Sequence, residues 1–147
     1  CSLRLVGAAG SAKDSATTVA WGVTGDRDDA IDSIAVASIF RLASGSAVNT
    51  VVIENDDTVN TNDDVATGFT LTDSVWAKFK IDFSDLNDVK YYAGLATGQL
   101  ARVGNSTAMK MSSYAAGLQP FFQLQKTSDA NTDALQIDYV RVWGVRL

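Results

Sequence analysis

The feature that most constrains this chain is a two-residue alternation near its end. Leu118 to Lys126 (LQPFFQLQK) and Leu135 to Trp143 (LQIDYVRVW) both alternate apolar and polar side chains, and the join from Thr127 to Asp133 is rich in Ser, Asp, Asn and Thr. A period of two describes a strand with one buried face, and two such runs around a polar join describe antiparallel strands. In the second run Leu135, Ile137, Tyr139, Arg141 and Trp143 share one face, while Gln136, Asp138, Val140 and Val142 share the other.

The same period recurs upstream. Val75, Ala77, Phe79, Ile81 and Phe83 line one face of a run whose other face carries Trp76, Lys78, Lys80 and Asp82. Ser84 to Asn87 is a tight polar turn, and Asp88 to Ala93 returns as the hairpin partner. Further strands are expected at Leu3 to Val6, Ala16 to Val23, Ser33 to Leu42, Val48 to Glu54, Gly68 to Leu71 and Gln99 to Val103. In the third of these, Ile34, Val36, Ser38, Phe40 and Leu42 fall on one face. Asn55 to Asp64 reads as a long polar loop, and Gly104 to Gly117 as a loop with one helical turn around Ala108 to Met111. With a single Pro and no strong helix signal, nine or ten short antiparallel strands predict an all-β sandwich or barrel. The 147 residues suit one domain, long enough to bury roughly 68–70% of its unfolded surface.

Composition removes several functions. A net charge of −5 with scattered Lys and Arg argues against nucleic acid, which needs clustered basic residues. No apolar run approaches the ~20 residues that span a bilayer. The chain has no His, so the usual general base, Ser-His triads and most zinc sites are absent. One Cys allows neither an internal disulfide nor a Cys cage. That residue is Cys1, and a lipid-anchored Cys is normally followed by a flexible spacer. Here Ser2 to Val6 reads as a strand at once, so the expectation is a processed or truncated chain.

The ending Ile137 to Trp143 resembles the closing strand of concanavalin A-like jelly-roll domains, a group that includes laminarinase-type β-glucanases and lectin-like modules of tailed-phage virion proteins. Trp76 to Ala93 resembles the hairpin of the same modules. With Leu118 to Trp143 the likeness covers about half the chain, and it implies a single antiparallel β-sandwich of jelly-roll type spanning residues 1–147.

The β-glucanase side of this resemblance implies paired carboxyl groups, one as acid and one as nucleophile or base, held ~5–9.5 Å apart. Its motif is Glu-x-Asp followed closely by a second Glu. Glu54-Asn55-Asp56 supplies the beginning, but Asp57-Thr58-Val59 follows and Glu54 is the only Glu in the chain. Glu54 to Asp57 therefore reads as a strand end entering a solvated acidic loop, and no catalytic residue is assigned. Asp82 to Asp88 resembles a legume-lectin metal segment but lacks its Glu and His. Asp82, Asp85 and Asp88 read as hairpin caps.

Two acidic loops remain, one with Asp26, Asp28, Asp29 and Asp32, the other with Asp56, Asp57, Asp63 and Asp64. Neither has EF-hand spacing. If the loops meet, Asp26, Asp28, Asp56 and Asp57 are the candidate ligands of a structural Ca²⁺, because like charges would otherwise repel. If they do not, both are solvated. Trp76 and Tyr92, with Gln123 and Gln125, are the candidate sugar-binding residues, set against the alternative that the aromatic rings pack in a core or interface.

The resemblance implies a non-enzymatic virion structural protein, a capsid decoration module of a tailed phage. Its partners would be the major capsid protein and copies of itself, as a dimer or trimer on the capsid exterior. The alternative is an extracellular carbohydrate-binding, lectin-like module of a phage fibre or a secreted enzyme, with glycans as partners.

Overall fold

The computed structural model describes residues 1–7, 15–42, 49–104, 106–127 and 132–143. Within them lie ten strands: β1 (Ser2–Val6), β2 (Thr17–Thr24), β3 (Val36–Leu42), β4 (Thr50–Asp57), β5 (Thr61–Thr70), β6 (Ala77–Asp82), β7 (Lys90–Leu95), β8 (Ala101–Val103), β9 (Gln119–Lys126) and β10 (Ala134–Tyr139). They form two five-stranded antiparallel sheets, ordered β10-β1-β6-β7-β8 and β5-β4-β3-β2-β9. The protein is an antiparallel β-sandwich. In the second sheet β2 to β5 run as a meander and β9 adds to its β2 edge.

The alternation explains why the sheets face each other. Ala77 and Phe79 of β6 point inward while Lys78 and Lys80 stay at the surface. From the other sheet Val36, Phe40 and Leu42 of β3, with Val51 and Ile53 of β4, close the same core. At its centre Phe79 meets Trp21 edge-on at 4.8 Å and Phe40 at 5.0 Å between ring centroids. Phe40 in turn meets the Tyr91 ring at 5.2 Å. Each such pair contributes about 0.5–1.5 kcal/mol beyond the area it buries.

The second sheet is also covered on its outer face. Ala20, Ala37, Ile39 and Phe121 make a small second core, roofed by Ile31 and Ile34 from the segment between β2 and β3. Gly22 allows β2 and β3 to sit this close. A Cβ there would lie 2.4 Å from the Ser38 carbonyl oxygen, and the residue has φ +153°.

Four expectations need correction. The polar stretch Asn55 to Asp64 is not a long loop: β4 continues to Asp57, and β5 starts at Thr61 and runs ten residues. Met109 and Met111 do not lie on a helical turn. Both are buried in the main core, and Met109 bridges Val89 in extended pairing. β10 ends at Tyr139, and Val140 to Trp143 continue outside any strand. Finally, the two runs that flank the Thr127 to Asp133 join belong to different sheets, β9 beside β2 and β10 beside β1. Val48, expected to open a strand, and residues 8–14, between the first two expected strands, fall outside the described residues.

Candidate functional site

Three polar or open regions stand out. The first is buried between the sheets on the β3, β4 and β7 side. The Ser38 hydroxyl donates to the Tyr91 hydroxyl. Tyr91 donates to Asn55 Oδ1 at 2.9 Å, and Asn55 Nδ2 donates to the Lys110 carbonyl at 2.8 Å. Ser38, Asn55 and Tyr91 are all buried, and each polar atom on this path has a partner. Burial pushes the Tyr91 hydroxyl well above the ordinary phenol range, and the Ser38 hydrogen bond offsets that only in part. Tyr91 therefore stays neutral and serves as a bolt between sheets.

Asp57, next inward along β4, extends this region. Its carboxylate accepts the backbone N–H of Val59, Asn60 and Ser113 at 3.1, 2.7 and 2.9 Å. Burial alone would raise its pKa, but these donors outweigh burial and hold it down to about 2. A carboxylate holding several N–H groups is an anchor for turns. It pins the β4–β5 turn to the segment before β9.

The second region lies on the outer face of the same strands. Arg41 Nη1 reaches Glu54 Oε2 at 2.7 Å and also pairs with Asp32, while its Nε lies 3.2 Å from Asp64. Oxygens of Glu54, Asp56 and Asp63 lie within 4.8 Å of one another. Burial lifts Glu54 to about 7, which Arg41 offsets only partly and the neighbouring carboxylates reinforce. The two acidic loops thus do meet, but through Asp32, Asp63 and Asp64.

Of the four proposed calcium ligands, only Asp56 belongs to this carboxylate group. Asp57 faces the opposite side of β4, Asp28 accepts the Ala30 N–H at 2.8 Å, and Asp26 is exposed. Glu54, Asp56 and Asp63 are the residues that could hold a cation. One oxygen from each lies in the group, three against the six to eight that Ca²⁺ takes, and Glu54 is already paired with Arg41. Asp82 and Asp85 accept the N–H of Ser84 and Asn87 at 3.1 and 2.9 Å, as expected of turn caps.

The third region is a cleft of about 510 Å³ between the sheets on the other flank. Trp21, Phe40 and Phe122 form one wall, and Phe79, Ile81 and Phe83 the other. At the rim stand Ser84, the Lys80–Asp82 pair (2.8 Å) and the segment Val140 to Trp143. Val142 and Trp143 are 73% and 74% exposed. Sequence reasoning did not find this cleft, because it depends on how far two sheets stand apart, which alternation does not encode.

The four candidate sugar-binding residues do not share a surface. Trp76 and Tyr92 lie on the outer face of the first sheet, where Arg4 sits 4.9 Å over the Trp76 ring and Lys80 5.2 Å over Tyr92. Gln123 and Gln125 lie on β9 of the second sheet, and Gln123 Nε2 donates to the Asp29 carbonyl at 2.9 Å.

Set against known proteins, the chain matches no family model, no curated protein and no solved structure.

Proposed function

We propose that this protein is a non-enzymatic structural module: a decoration protein of a tailed-phage virion that binds the outside of the major capsid protein. The observation that carries the structural part is the use of its buried polar groups. Ser38, Tyr91, Asn55 and Asp57 bond to each other and to backbone across strands and loops, the arrangement of a rigid scaffold. The phage part, and the jelly-roll type of the sandwich, rest on the resemblance of Trp76 to Ala93 and Leu118 to Trp143.

The glycan-binding alternative is weaker on geometry. A sugar platform needs exposed ring faces beside polar groups, whereas the Trp76 and Tyr92 rings each carry a cation on one face and the glutamines lie on the opposite sheet.

Quantitative mass spectrometry of purified virions tests the proposal. Copy numbers comparable to those of the major shell protein are expected. A handful per particle would shift the reading to a fibre part, and absence from particles would overturn it.

A further inference from the structure

The cleft between β2/β9 and β1/β6 is out of keeping with the rest of the core. Facing sheets pack side chains at crystal-like density, with few voids larger than a water molecule. Here about 510 Å³ stays open among aromatic and aliphatic side chains, within the size range of small-molecule pockets. Two polar features accompany the space. The indole N–H of Trp21, in the inner wall, is buried and has no hydrogen-bond partner, a rare condition for a buried donor. At the rim Lys80 and Asp82 neutralise each other, whereas Arg141 makes no ion pair among the described residues and only stacks over Tyr139 at 5.3 Å. An apolar slot lined by Arg141 and by the Cys1 ammonium, which donates to the Phe79 carbonyl at 2.8 Å, neither of them in an ion pair among the described residues, complements a molecule with an apolar body and one negative head.

We propose that this cleft is a binding site for an amphiphilic organic anion: its alkyl or aryl body lies between the sheets and its carboxylate meets Arg141 at the rim. The aromatic walls supply the affinity by removing apolar surface from water. Arg141 supplies the choice of charge through a charge-assisted contact. The site goes beyond the decoration reading and does not depend on it.

Dodecanoate, kept below its micellar concentration, is the probe, with dodecyltrimethylammonium and dodecanol as charge controls. Binding is followed by calorimetry and by the fluorescence of Trp21 and Trp143, with near-ultraviolet circular dichroism showing that the fold persists. Dodecanoate is expected to bind one-to-one, and Arg141→Gln to weaken it on the order of tenfold while leaving dodecanol unchanged. Ser84 is exposed at the mouth, so Ser84→Trp should block all three probes without unfolding the protein. Equal binding of the cationic probe, binding undiminished in Ser84→Trp, or no binding up to the solubility limit would each overturn the site. So would a concentration-dependent dimer that Ser84→Trp dissociates, since a second copy would then be the occupant.

Discussion

The two flanks of the sandwich are built from similar strands and solve the space between the sheets differently. On the β3/β4/β7 flank, Ser38, Tyr91 and Asn55 fill the gap with hydrogen bonds, and Met109 and Met111 fill the remainder. On the β2/β9/β1/β6 flank the Thr17 hydroxyl donates to the Asp133 carboxylate at one end, while at the other Phe83, Phe122 and Val140 to Trp143 stand around an opening with no such bond among the described residues. The difference teaches that apolar patterning brings two sheets together but does not by itself close them. Closure came where side chains of matched length and polarity met across the interface, as Tyr91 meets Ser38 and Asn55. A buried network of this kind is stabilising only when every member is satisfied, so the closed flank should be intolerant of change and the open flank permissive.

The largest expected effect comes from deleting the bolt. Tyr91→Ala removes a fully buried ring and orphans two polar partners, and should cost about 3–5 kcal/mol in chemical denaturation, enough to leave a marginal domain unfolded. A loss under about 1 kcal/mol would mean that this flank relaxes as readily as the other.

Next is pH. Glu54 sits at about 7 when folded, above its ordinary 4.5, so the folded state binds the extra proton. Its contribution is fully present below about pH 4.5 and lost as pH rises through 7. The buried carboxyl of Asp57, at about 2 against an ordinary 3.8, acts in the opposite sense. Its contribution is present above about pH 4 and lost as pH falls toward 2. Stability from these two groups should therefore peak near pH 4–5. Glu54→Gln should remove a decline on the order of 1–3 kcal/mol between pH 5 and 7.5, read from urea midpoints across that range. An unchanged slope would show that Glu54 ionises normally beside Arg41.

The smallest effect is at Asp28, whose carboxylate accepts one exposed N–H. Asp28→Ala should change stability by no more than about 0.5 kcal/mol and leave the Arg41 cluster intact, since Asp32 carries the contact from that loop.

Much of the fold was legible because inward and outward residues differ sharply in kind. β6 shows this best, with Ala77 and Phe79 against Lys78 and Lys80. Of β5 only the end, Gly68 to Thr70, fell within an expected strand, for the opposite reason. Thr61 to Thr70 is largely polar on both faces, it forms a sheet edge, and a bulge at its start, with Asp64 at φ +50°, interrupts the alternation. Met109 and Met111 are spaced by two, which is strand spacing, but a short run among small polar residues did not declare it. The acidic cluster was half visible. Glu54 and Asp56 are two apart and share a face once β4 is extended to Asp57, and consecutive Asp57 must then face inward. Arg41 could be placed only through the β3–β4 register, which sets it opposite Val52. For Trp76, Tyr92, Gln123 and Gln125 the alternation identified outward faces. It could not say that those faces belong to opposite sheets.

The most direct test of the two-flank account is a paired denaturation measurement on Tyr91→Phe and Ser84→Trp. Tyr91→Phe removes one oxygen from the closed flank and should cost about 1–3 kcal/mol by leaving Ser38 and Asn55 unsatisfied. Ser84→Trp adds an indole at the open flank and should stay within about 0.5 kcal/mol of the parent. A neutral Tyr91→Phe together with a destabilised Ser84→Trp would contradict the account.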